Sequence, residues 1–314
     1  MLHQLVNNAR KHKGFTCKHI LGRVISQFPF TDNFYEDSAI LTRKDISAKH
    51  VFFTADAVSP FILTKNYRRA GKTAMLIAIN DIVAKGGTPI CAVSLISGSI
   101  PIIRQIAEGL ADGEKLTGIP VVGGHTAIGK PYCGVAMIGR GYSTPLRSTT
   151  AQDGDEIIIA IDTVGYPSPV YKYSFIAWEK PKEDLWMRWK TIISLADASR
   201  LTSGKDISMA GILGTLAMIC EASSVGATID LERIPRPEDI PFSHWVRMFQ
   251  TMGFIFTCKH EDTFMVTRIL NRAGFTARYV GKINSTHKIS VSYKNETAIF
   301  WDFDTDGSVY GLEE

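Results

Sequence analysis

The sequence has almost no excess charge of one sign. Its 35 Lys and Arg stand against 31 Asp and Glu, which leaves a net charge of +4 over 314 residues. So small and scattered an excess argues against the polyanion-binding surface that nucleic acid or an anionic membrane selects. Long hydrophobic runs are missing too: no uncharged apolar stretch reaches the roughly 18 residues of a membrane-crossing helix. Residues 1–30 carry charge throughout and hold no continuous apolar segment, so no secretory leader is expected and a cytoplasmic location is. Cysteine is scarce. Cys17, Cys91, Cys133, Cys220 and Cys258 form no Cys-x-x-Cys pair, and an odd number argues against a disulfide framework, so buried free thiols are expected. No period of 20–50 residues recurs, which excludes a solenoid. What is present, 45% hydrophobic and 21% charged residues, is the composition of a folded chain long enough for about two domains.

The hydrophobic pattern divides the chain. An arm over 1–30 reads as two helical pieces, the second stopped by Pro29. Short apolar runs at 39–41, 51–53 and 61–63 read as strands. Helical spacing over 68–85 is stopped by Gly86-Gly87-Thr88-Pro89, and a buried strand is expected at 90–96. A helix over 102–116, a strand at 119–122 running into a Gly123-Gly124-His125-Thr126 turn, and a strand at 134–141 follow. The polar stretch from Arg147 marks a boundary, giving an N-terminal domain at 31–149, a C-terminal one at 150–290 and a tail at 291–314. Beyond it the pattern predicts strands at 156–161, 228–231, 254–258 and 276–280, helices at 182–198, 213–222 and 261–273, and edge strands in the tail.

Gly71-Lys72-Thr73 invites a phosphate-loop reading. The loop needs a glycine five positions before Gly71, where its backbone folds around the β-phosphate, and that position here is Asn66. The start of a helix with basic residues on its exposed face explains the tripeptide better. Four acidic residues are more informative: Asp37, Asp56, Asp81 and Asp206 sit where strands or helices meet turn sequence. Asp37 also fits a turn, Asp56 a strand end, and Asp206 a helix N-cap. Asp81, flanked by Ile79, Ile82 and Val83, either shares a solvent stripe with Asn80 and Lys85 or binds something positive. Several such carboxylates converging on one Mg²⁺ and a nucleotide triphosphate would satisfy them together. Gly123 and Gly124 either make a tight turn or let backbone N–H groups approach a phosphate. Ser208, Gly211 and Gly214 offer a second anion site at a helix start.

Five motifs in order carry a resemblance: Asp37-Ser-Ala-Ile-Leu41, Thr54-Ala-Asp56, Ala78-Ile-Asn-Asp-Ile-Val-Ala-Lys-Gly-Gly-Thr-Pro89, Pro120-Val-Val-Gly-Gly-His-Thr126 and Asp206-Ile-Ser-x-x-Gly-x-Leu-Gly214. Over residues 14–285 the chain resembles the superfamily of aminoimidazole ribonucleotide (AIR) synthetase, thiamine-monophosphate kinase, selenophosphate synthetase and the carbamoyl-dehydrating hydrogenase maturation protein. Residues 203–237 and 244–254 are closer still to its AIR synthase-related branch. The resemblance implies an α+β, PurM-like, two-domain fold, with an N-terminal domain that pairs with a second subunit into a dimeric barrel. It implies ATP in a groove between domains, Mg²⁺ held by aspartates, and phosphorylation or ATP-driven activation of a small molecule by a homodimer. Residue by residue, it makes Asp37, Asp56, Asp81 and Asp206 metal ligands. Thr54, Gly123, Gly124, His125, Arg147 and Ser208 become nucleotide contacts, and Lys18, His125 and Asp206 take part in the reaction.

There are departures. His125 stands where the kinase has Asp and the ribonucleotide synthetase Glu, and Met209 stands where the kinase has a second Asp. Both remove negative charge that would hold Mg²⁺, which leaves a catalytically degenerate nucleotide-binding partner as the alternative reading. Cys17 and Lys18 are adjacent, unlike the spaced pair of the selenophosphate enzyme. The resemblance and the aromatic-rich segment 163–190 together suggest an acceptor pocket, in which Tyr171, Tyr173 and Trp178 either stack on a planar substrate or simply pack at the surface.

Overall fold

The structure, a computed structural model, describes residues 48–310. The expected arm at 1–30, the strand at 39–41, and Cys17, Lys18 and Asp37 lie outside the described residues. Two compact units are present. The first takes Phe53–Ile79 and Pro89–Gly139; the second takes Ala48–Phe52, Asn80–Thr88 and everything from Arg140 on.

The N-terminal elements are β1 (His50–Ala57), α1 (Pro60–Leu63), α2 (Tyr67–Ala84), β2 (Thr88–Gly98), α3 (Ile100–Thr117), β3 (Val121–Ile128) and β4 (Tyr132–Gly141). The sheet order is β1-β4-β2-β3, with β2 and β3 parallel. This sheet is open, with β1 and β3 at its edges, so the described residues form no closed barrel by themselves. α3 shows why the sequence folds this way: Pro101 sits in its first turn, Ile103, Ile106, Ala107 and Leu110 face inward, and Gly118 ends it at φ 75°. Residues 61–63 are helical rather than extended, because Pro60 supplies a helix-ready φ at the first position of α1. Gly123 to Thr126 lie inside β3, not in a turn.

Gly71 lies within α2, which settles the phosphate-loop question. A Cβ there would meet the Ile106 carbonyl oxygen of α3 at 2.2 Å, and one on Gly109 would meet the Arg68 carbonyl oxygen at 1.8 Å. The glycines let two helices touch backbone to backbone, and a fork from Arg68 to Asp112 at 2.7 and 2.9 Å closes the crossing.

The second unit is built on a seven-stranded sheet. In chain order its elements are β5 (Glu156–Ile161), β6 (Tyr166–Pro167), β7 (Ser174–Ile176), α4 (Lys182–Asp197), β8 (Ser203–Asp206), α5 (Gly211–Ala222), β9 (Gly226–Asp230), α6 (Phe242–Trp245), β10 (Phe249–Gln250), β11 (Gly253–Cys258), α7 (Thr263–Arg272), β12 (Thr276–Asn284), β13 (Lys288–Tyr293) and β14 (Glu296–Asp302). The large sheet runs β14-β13-β9-β12-β5-β11-β8, and β6, β7 and β10 make a small one. β5 is buried along its whole length, as an uninterrupted apolar strand predicts. The tail supplies β13 and β14, and beyond them Glu221 receives the Val309 N–H at 2.7 Å, the Tyr310 N–H at 3.2 Å and the Ser308 hydroxyl. The last turn of α2 belongs here through Asn80, whose amide donates to the Thr251 carbonyl at 2.7 Å and accepts the Trp189 indole N–H at 3.1 Å. Cys91, Cys133, Cys220 and Cys258 are buried thiols that form no disulfide, as expected. Among the described residues no helix is long and apolar enough to cross a membrane.

Candidate functional site

The chemistry-bearing groups of the second unit gather around the end of α2. Gly86 at φ 78° and Gly87 stop the helix by donating to the Val83 and Ile82 carbonyls. The turn places Lys85 against two other segments. Its ammonium donates to the Ser148 hydroxyl at 2.7 Å and to the Gly204 carbonyl at 2.7 Å, and its own carbonyl accepts the Leu146 N–H at 3.0 Å. Burial, with Lys205 nearby, pushes the Lys85 ammonium down from 10.5 to about 8, and the carboxylates of Asp206 and Asp81 oppose that fall. Asp81 and Asp206, read from the sequence as metal ligands, thus act on one lysine. Asp81 is half-buried one helical turn before it, and Asp206 is buried at the end of β8, opposite Phe254 of β11.

Arg147 is exposed in the turn that follows Leu146. Three bonds pin that turn: Lys85 to Ser148, the Ser223 hydroxyl to the Ser148 carbonyl at 2.8 Å, and the Thr150 hydroxyl to the Thr202 carbonyl at 2.6 Å. Asp206 is not a helix cap: α5 starts at Gly211, its N-cap is Ala210, and Asp206 is strand. Ser208 is half-buried, and its N–H donates to the Thr215 hydroxyl at 3.2 Å. Gly211, at φ 71°, admits the Val246 carbonyl to within 2.6 Å of where a Cβ would stand.

In the first unit, Thr54 and Asp56 lie on β1. The Asp56 carboxylate accepts the Ala57 N–H at 2.6 Å, and loss of solvation raises it from its ordinary value. Gly124 has a structural reason to be glycine: at φ 149°, its Cβ would stand 2.1 Å from the Ser94 carbonyl of β2. Gly123 has room around it, and His125 is exposed. Among the described residues no group of three or more His, Cys, Asp or Glu side chains is arranged to hold a metal ion.

The stacking expectation for Trp178 fails, because that ring is buried in the core. Tyr171 and Tyr173 are half-buried, and Tyr173 lies 5.1 Å from the His244 ring with the Arg247 guanidinium 5.2 Å away. The segment is anchored by Asp162, fully buried with Arg188 at 2.8 Å and Lys180 at 3.3 Å. Sequence reading missed Lys85, taking it for part of a solvent stripe. The signal was there in Gly86-Gly87 behind it and in Gly204, a residue small enough to approach the helix end.

A family profile described as AIR synthase related protein, N-terminal domain, matches residues 35–141, and its C-terminal counterpart matches residues 172–294. An uncharacterized protein of Synechocystis is 32% identical over 81% of this chain and 80% of its own length. The chain belongs to the AIR synthase-related family. A selenide, water dikinase of Colwellia psychrerythraea is 29% identical to this AIR synthase-related protein over 53% of the chain and 52% of the enzyme. Escherichia coli HypE, a hydrogenase maturation protein, superposes with a TM-score of 0.72 at 14% identity, over 91% of this chain and 96% of HypE. Thermotoga maritima PurL complexed with ATP gives 0.70 at 18% identity, over 88% of this chain and 47% of PurL. The chain therefore spans about half the length of that PurL. These likenesses fix the mixed α+β, two-domain, PurM-like fold.

Proposed function

We propose that this AIR synthase-related protein binds ATP with Mg²⁺ and uses it to phosphorylate or activate a small-molecule substrate, as a homodimer in the cytoplasm. The observation that carries the reading is that the Asp81 and Asp206 carboxylates both act on the half-buried Lys85. Phosphoryl transfer asks for positioning and charge neutralisation rather than a strong nucleophile, and carboxylates with a half-buried cation supply both. The donor set fits Mg²⁺: hard carboxylate oxygens, few in number, suit an ion that keeps several waters and binds phosphate oxygens. Bound there, the ion would neutralise charge on the transferred phosphoryl group. Asp81 and Asp206 would hold it with Asp37 and Asp56, while Thr54, Gly123, Gly124, His125, Arg147 and Ser208 would contact the nucleotide. Lys18, His125 and Asp206 would act on the substrate. The kinase relatives and the PurL complex with ATP support the nucleotide. Exposed Val51 and Phe53 on β1 and Leu95 on β2 support the dimer, since apolar side chains on an open sheet invite a second copy.

Calorimetric titration of ATP, with and without Mg²⁺, into wild type and Asp81→Asn tests the reading. Magnesium-dependent binding lost in a folded Asp81→Asn protein supports it. No binding by the wild type overturns it. The second reading, a nucleotide-binding partner without turnover, is favoured by His125 and Met209 at positions where the resembled kinase carries carboxylates. ATP consumption in the presence of a small-molecule extract separates the two.

A further inference from the structure

Three of the residues assigned to the nucleotide site in the second unit lie on three separate stretches of chain: Asp81 on α2, Arg147 in the turn before β5, and Asp206 on β8. One side chain reaches all three stretches. Lys85 follows the last residue of α2, four positions after Asp81, whose carboxylate acts on its ammonium. It bonds Ser148, the residue next to Arg147, and Gly204, two residues before Asp206 on the same strand. In a strand, residues two apart point to the same side, so Gly204 and Asp206 share one face of β8. The approach is close as well as bonded: a Cβ on Gly204 would lie 2.8 Å from the Ala84 carbonyl oxygen at the helix end. The helix terminus and the strand are in backbone contact, and the ammonium closes that contact.

We infer that Lys85 is the positioning residue of the site, holding the Asp206 strand and the Arg147 turn at fixed places relative to Asp81. The inference rests on the nucleotide reading above and adds to it a residue that need not touch the nucleotide. A half-buried ammonium suits the task, since it offers three donors and no acceptor and bonds two acceptors from different segments at once. Its single positive charge offsets part of the charge on the two carboxylates.

The test is ATP titration, with and without Mg²⁺, into the full-length wild type, Lys85→Met, Lys85→Arg and Ser148→Ala. A positioning role predicts that Lys85→Met weakens magnesium-dependent ATP binding roughly tenfold or more, the scale of one charge-assisted hydrogen bond. It also predicts unchanged metal-free ATP binding and partial recovery in Lys85→Arg. Equal magnesium-dependent affinity in wild type and Lys85→Met overturns the role and leaves the nucleotide reading standing. Equal losses with and without metal, unrelieved by Lys85→Arg, mean general damage and also overturn it. A wild type that binds no Mg-ATP overturns both. Should Lys85→Met fail to fold, Ser148→Ala, which removes one acceptor and no charge, carries the same prediction for magnesium-dependent binding.

Discussion

Asn80 is the place where a single substitution tests the architecture most directly. Its side chain is 2% exposed, and it satisfies two partners that are themselves buried, the Trp189 indole N–H and the Thr251 carbonyl. Asn80→Leu keeps the branched shape with somewhat more bulk and removes both bonds, leaving a buried donor and a buried acceptor unpaired. Each such orphan costs about 1–3 kcal/mol, and the amide's own desolvation is recovered, so the net loss is about 3 kcal/mol. For a unit of this size that lowers Tm by about 6–12 °C. All five tryptophans, at 178, 186, 189, 245 and 301, fall in the second unit, so intrinsic fluorescence during urea or thermal unfolding reports that unit alone. The double variant Asn80→Leu with Trp189→Phe removes the orphaned donor, and a cycle should show positive coupling of about 1 kcal/mol or more. A loss below about 1 kcal/mol in Asn80→Leu, or no coupling, would show that this joint does not hold the end of α2 in place.

Three further outcomes follow from the same structure. Lys72→Ala should leave ATP binding unchanged by calorimetry, whereas Gly71→Ala, forced against the Ile106 carbonyl, should cost about 1–3 kcal/mol in urea unfolding. The Lys85 ammonium loses its proton near 8 when folded and near 10.5 when unfolded, so between those values the unfolded chain holds more protons and stability rises with pH. The stability of wild type relative to Lys85→Met should therefore grow by about 2 kcal/mol from pH 7.5 to 9.5, read from paired denaturant curves. In a Cys17→Ser background, a thiol reagent should find no fast-reacting group until the chain unfolds and then four, because burial pushes Cys133 and Cys220 up to about 12 and Cys258 up to about 11.

Much of this fold was legible because its elements are locally consistent. β5, α3 and α4 match their expected spans closely, since an unbroken apolar run, a proline start with a glycine stop, and a clean helical period each act within one segment. The misreadings came from residues whose reason lies elsewhere in the chain. Gly124 looked like part of a turn, but it lies inside β3, packed against Ser94 on another strand. Phe61 to Leu63 had strand-forming side chains, and Pro60 set their backbone as helix. Asp206 read as a cap because the helix behind it was visible, while its pairing with β11 was not. Trp178 read as a ligand platform because burial is a property of the assembled unit. Lys85 was invisible as more than a surface lysine, since Ser148 and Gly204 lie 63 and 119 residues away. Asp81, by contrast, could be singled out locally, because a carboxylate among Ile79, Ile82 and Val83 needs a reason to be there.

The second compact unit draws on three separate stretches of chain, and one of nine residues contributes out of proportion to its length. Residues 80–88 bring Asn80, Asp81 and Lys85 into a body made, apart from residues 48–52, from residue 140 onward. A fragment cut at that point would therefore lose the amide between Trp189 and Thr251 together with the ammonium between Ser148 and Gly204. The two halves of this protein cannot be traded between relatives like beads on a string. Any recombination that respects the sequence boundary near 140 separates the two aspartates, so exchange of a C-terminal half also demands exchange of nine residues from the other side of the break.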